Sequence, residues 1–157
     1  MTDFKLLNEQ LKALAEIDAH YIPLLSNASA MLYEALDDVN WAGFYLMRGD
    51  RLVLGPFQGK VACVHIPLDR GVCGAAARED KTLRVADVHA FPGHIACDSA
   101  SNSEIVIPIH HGGAVAAGGR ISAVLDIDSP VLNRFLPADQ EGLESFVRIL
   151  ESIIVFD

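Results

Sequence analysis

The chain has 157 residues, of which 51% are hydrophobic, with three cysteines and a formal net charge of −9. That length suits one domain able to bury a sizeable core without staples. The acidic balance and the absence of any Lys/Arg run argue against nucleic acid or anionic membranes as partners, and no apolar run reaches the roughly 18–20 residues that span a bilayer.

In chain order, Phe4, Leu7, Leu11, Leu14 and Ile17 recur at three- and four-residue steps and predict an amphipathic helix. His20-Tyr21-Ile22-Pro23 interrupts it. A second helix is predicted over 23–36, with Pro at the start, where its missing N–H needs no partner. Residues 39–46 read as an aromatic strand and Arg48-Gly49-Asp50 as a turn. Residues 51–57 form the returning strand of a hairpin. A strand is predicted over 62–66, ended by Pro67, and residues 71–79 read as a glycine-rich turn opening an Ala-rich helix. Residues 83–85 form a short strand. The polar stretch 87–103 is a long loop of the kind that carries function in compact domains. Strands follow over 104–109 and 120–127, separated by a flexible loop at 112–119, and a closing helix is predicted over 137–155. No repeat or linker appears, so one domain over 1–157 is expected. The pattern is α+β: helices covering a largely antiparallel sheet.

The opening Met1-Thr2-Asp3-Phe4-Lys5 lacks the layout of a signal peptide, so a cytoplasmic location is expected. There thiols stay reduced, and a disulfide is a catalytic event rather than a strut. No Cys-x-x-Cys occurs, which argues against a zinc ribbon or a thioredoxin-type motif. Cys97 lies in the polar run His94-Ile95-Ala96-Cys97-Asp98-Ser99, where a thiol is placed to react. Cys63 alternates with Val61 and His65 on its predicted strand, and is either an inert half-buried thiol or a resolving one. Cys73 stands at a helix start that would lower its pKa, although tight packing explains it equally well. His65, His89, His94, His110 and His111 have no zinc-knuckle spacing, so neither metal nor organic cofactor is expected. A Cys-His-Asp acyl-transfer triad with His94 or His89 as base stays open. Asp126 and Asp128, two residues apart, share one strand face, and Glu104 begins another strand. They are either solvated strand ends or the site of an ammonium-bearing ligand, with a protonated carboxyl as general acid. Trp41 on its own reads as core packing.

Five segments then become recognisable together: Asn40-Trp41-Ala42-Gly43-Phe44-Tyr45, Gly71-Val72-Cys73-Gly74, His94-Ile95-Ala96-Cys97-Asp98, Ser103-Glu104-Ile105-Val106-Ile107-Pro108 and Val124-Leu125-Asp126-Ile127-Asp128-Ser129-Pro130. They resemble the free methionine-(R)-sulfoxide reductases, which are stand-alone GAF domains, over about residues 4–150. The resemblance implies a GAF fold, a central six-stranded, mainly antiparallel sheet between helices, paired as a homodimer. It implies reduction of free L-methionine-(R)-sulfoxide with thioredoxin as reductant. By the same resemblance Cys97 is the nucleophile, Cys63 the main resolving cysteine and Cys73 an alternative resolver. Trp41 and Tyr45 are pocket aromatics, and Glu104, Asp126 and Asp128 are the binding carboxylates. The chain departs from the family in a longer segment over 109–119 and in Ala123, where members commonly have Gly. The competing expectation is a GAF domain that senses a small ligand or redox state without turnover.

Overall fold

The computed structural model describes residues 1–94, 97, 99–110 and 120–157. Ile95, Ala96 and Asp98 of the cysteine-bearing loop, and His111 with the 112–119 loop, lie outside the described residues. Helix α1 (Phe4–Ile17) follows the expected stripe, burying Leu7 and Leu11. Its start is capped by Asp3, whose carboxylate accepts from the Leu6 N–H at 3.0 Å. Helix α2 (Tyr21–Ala35) begins two residues earlier than expected, because His20 caps it: Nδ1 accepts from the Ile22 N–H at 3.4 Å. Pro23 then falls inside the first turn, where a missing N–H still costs nothing.

Strands β1 (Trp41–Arg48) and β2 (Arg51–Gly59) form the expected hairpin. Beyond it, β3 (His65–Pro67) is much shorter than the 62–66 strand expected. On the N-terminal side of Val64, whose carbonyl still accepts from the Leu54 N–H at 2.9 Å, the chain lies off the ladder. Val61 and Val64 turn to solvent, and Cys63 comes off the sheet edge. Helix α3 (Gly71–Glu79) and β4 (Leu83–Val85) come next. A single 3-10 turn at Val88–Ala90 lies within the polar stretch. Strands β5 (Ser103–His110) and β6 (Ile121–Ser129) then pair, and α4 (Pro137–Ile153) closes the fold. Val155, expected in that helix, instead makes a parallel bridge with His20.

The sheet order is β3-β2-β1-β6-β5-β4, with every neighbouring pair antiparallel. Alternation along the strands divides the side chains between two faces. Phe44, Leu46, Ile105, Ile107, Leu125 and Ile127 bury against α1, α2 and α4. Trp41, Tyr45, Val106 and Val124 face the opposite way and pack with α3. No described helix is long and apolar enough to cross a membrane.

Candidate active site

The register of the central strands builds the floor of a cavity. Asp128 pairs with both Trp41 of β1 and Glu104 of β5, and Asp126, one pleat along β6, pairs with Gly43 and Val106. All these residues therefore share the face covered by α3. A side chain at Gly43 would overlap Phe57 and the end of the Trp41 ring. The bare glycine lets the Trp41 ring lie flat, stacked between Phe57 and Tyr45 at centroid distances of 5.1 and 5.8 Å. At Gly74 a Cβ would fall 2.6 Å from the Pro67 carbonyl. Glycine there brings α3 down close enough for Cys73 Sγ to stand 3.9 Å from Glu104 Oε2.

The cavity measures about 50 Å³, and its lining includes Trp41, Tyr45, Cys73, Cys97, Glu104, Asp126 and Asp128. Seven of the eight predicted site residues thus converge from β1, α3, the 87–103 loop, β5 and β6. The eighth, Cys63, is joined to Cys97 by a disulfide that closes 34 residues of sequence, with Cα atoms 5.5 Å apart. Tyr45 supports that bridge from below: its hydroxyl donates to the Cys63 carbonyl at 3.0 Å. Trp41 is buried, as its core reading required, and also lines the cavity; its Nε1 donates to the Lys60 carbonyl at 3.2 Å.

Sequence reasoning missed Ser101, a buried lining residue whose hydroxyl accepts from Asn40 Nδ2 at 3.2 Å. It stands among Ser and Asn residues that read simply as loop composition. Of the two imidazoles considered as bases, His94 belongs to the lining. His89 sits outside it, with Nε2 3.1 Å from Asn102 Oδ1 and its ring edge-on to His94.

The electrostatics assign protons. Burial, then the charges of Asp126 and Asp128, push the Glu104 carboxyl well above the usual range, favouring its protonated form. Burial also raises Asp126, and hydrogen bonds from Glu104 and Cys73 oppose the rise without cancelling it. Cys73 is pushed up by burial and by the neighbouring carboxylates, so it remains a thiol despite its place at a helix start. The expected helix-terminus effect is overridden by desolvation. Tyr45 is raised by burial and stays a phenol, while burial and His89 together keep His94 low and neutral. Asp126 Oδ1 is buried without a hydrogen-bond partner among the described residues, an acceptor suited to a ligand's ammonium.

The GAF domain family matches residues 19–154. The free methionine-R-sulfoxide reductase of Escherichia coli (strain K12) is 51% identical over 148 residues, covering 94% of this chain and 86% of that protein. The chain belongs to the free methionine-R-sulfoxide reductases within the GAF domains. Among solved structures, the reduced form of fRMsr from Staphylococcus aureus superposes with a TM-score of 0.90 at 50% identity, covering 99% of this chain and 97% of that one. The free methionine-R-sulfoxide reductase from Neisseria meningitidis, in complex with its substrate, gives a TM-score of 0.85 at 41% identity, covering 94% and 86% of the two chains. These two structures share the overall sheet and helix arrangement of this chain.

Proposed function

We propose that the protein reduces free L-methionine-(R)-sulfoxide to L-methionine through Cys97. The observation that carries this is the Cys63–Cys97 bridge beside a cavity floored by Glu104, Asp126 and Asp128. With the bridge reduced, neutral His94 is a group able to take the Cys97 proton. The thiolate attacks the sulfoxide sulfur, forming a bond between Cys97 Sγ and that sulfur, while Glu104 donates its proton to the sulfoxide oxygen. The S–O bond breaks, the oxygen passes to Cys97 Sγ as the new S–S bond cleaves, methionine leaves with its sulfur reduced by two electrons, and Cys97 is left as a sulfenic acid. Cys63 attacks that sulfur, water departs and the disulfide forms; an external dithiol then reduces it by exchange.

Asp126 receives the substrate ammonium on its unpartnered oxygen, with Asp128 beside it. Trp41 and Tyr45 enclose the S-methyl group, and their fixed stacking selects one sulfur epimer. Cys73 is a reserve resolver at most, because burial and the nearby carboxylates hold it as a thiol. Thioredoxin is the proposed dithiol: Val61 and Val64, 89% and 57% exposed, flank Cys63 as an apolar landing for it. The chain is further proposed to work in the cytoplasm as a homodimer; exposed Leu6 and Ile17 on α1 favour a partner surface there.

The test is methionine release from the separated R and S epimers of the free sulfoxide with thioredoxin recycling. Turnover confined to the R epimer and lost in Cys97→Ser is expected, with one stoichiometric turnover left in Cys63→Ser. Full recycling by Cys97→Ser overturns Cys97 as the nucleophile, and no turnover of either epimer by folded, reduced protein overturns the proposal in favour of a non-catalytic sensor.

A further inference from the structure

The cavity floor brings together a set of donors that no stretch of sequence contains. Cys73 Sγ from α3, a Glu104 oxygen from β5 and an Asp126 oxygen from β6 all lie within 4.8 Å of one another. Tetrahedral zinc, with bonds of about 2.3 Å to sulfur and 2.0 Å to oxygen, sets its ligand atoms roughly 3.3–3.5 Å apart. Cys73 and Glu104 already stand at 3.9 Å, so small movements at the ends of the side chains complete the geometry. All three residues are buried, which limits competition from bulk water.

A second observation is independent of that clustering. Asp126 is 5% exposed, lines the cavity, and its Oδ1 finds no partner among the described residues. A buried acceptor left open in this way points to a positively charged visitor. A mixed set of one sulfur and two oxygens favours a borderline-soft ion over magnesium or calcium, which take oxygen alone.

We propose that Cys73, Glu104 and Asp126 form a site for a divalent cation of the zinc class. The thiol and Glu104 protons pass to solvent as the metal bonds form, and a water completes the tetrahedron. The ion is an occupant, not a cofactor of the reduction. If the cavity takes the amino-acid ammonium as proposed above, ion and amino acid exclude each other, and the ion inhibits turnover. That last clause alone rests on the proposed function.

The oxidised protein is the cleanest test, because the Cys63–Cys97 bridge leaves Cys73 as the free thiol. Cadmium titrated into it should produce a thiolate-to-metal charge-transfer absorbance saturating at one ion per chain, and zinc should displace it. The band should vanish in Cys73→Ala and weaken at least tenfold in affinity in both Asp126→Asn and Glu104→Gln, each checked for folding by circular dichroism. Absence of a saturable band, or unchanged affinity in both carboxylate variants, overturns the site. In the Cys63→Ser/Cys97→Ser chain, free methionine should raise the apparent cadmium Kd. Intact cadmium binding that methionine does not affect would support the metal site while removing the amino-acid assignment.

Discussion

Glu104 sits opposite Asp128 across the β5–β6 ladder, with Asp126 one pleat away and Cys73 above it. A carboxyl so placed keeps its proton, and that protonation acts on stability as well as on chemistry. Its folded-state pKa lies above the unfolded value, so its contribution to stability is fully present below the ordinary carboxylate range. It is lost as pH rises through the folded value. Glutamine cannot ionise, so Glu104→Gln should melt a few degrees above the parent at pH 8 and level with it near pH 4. Methionine formation should fall by roughly 10²- to 10⁴-fold if this carboxyl is the proton donor. Thermal melts across pH, paired with turnover, check both. The two-residue spacing of Asp126 and Asp128 made their common face legible in the sequence. That Glu104 joins them depends on inter-strand register, which local pattern does not encode. Cys73 shows the opposite limit: its helix-start position left a lowered pKa and tight packing equally open, and its burial among carboxylates decides for packing.

At the scale of elements, His110 ties the end of α3 to α4. Its Nδ1 lies 2.7 Å from Glu151 and its Nε2 2.6 Å from Asp80, the left-handed residue that ends α3. Burial works against protonation of this imidazole, but Glu151 and Asp80 outweigh it and raise its pKa. Lys81, Glu144 and Arg148 line the same depression without displacing either carboxylate. The sign is that of a raised base: stability is fully present below the unfolded value, roughly 6.5, and fades as pH rises through the folded one. His110→Asn should therefore cost about 1–3 kcal/mol at pH 6 and distinctly less at pH 9 in urea denaturation. The long helices and the β1–β2 hairpin were readable because their periodicity matches the faces they bury. The start of the 62–66 strand was not, since its alternation continues the ladder pattern of His65 and Ile66 while the chain there turns away to carry Cys63.

Across the whole molecule, the sheet order places β1 beside β6, a long-range pairing that alternation alone cannot choose. The resemblance implied a six-stranded, mainly antiparallel sheet without its strand order, and the apolar pattern along the chain supplied the strands and their faces. The disulfide adds a second long-range tie, closing 34 residues. In the chain-entropy account such a loop contributes about 3–4 kcal/mol. The oxidised protein should accordingly melt roughly 10 °C above the dithiol form, measured by calorimetry with and without reductant. The bridge beside the cavity has a kinetic consequence. While it stands, Cys97 has no thiolate to offer, so reduction of the sulfoxide and reduction of the enzyme must take turns. Varying sulfoxide at several thioredoxin concentrations should give parallel double-reciprocal lines. Intersecting lines would mean that both partners can occupy the enzyme at once.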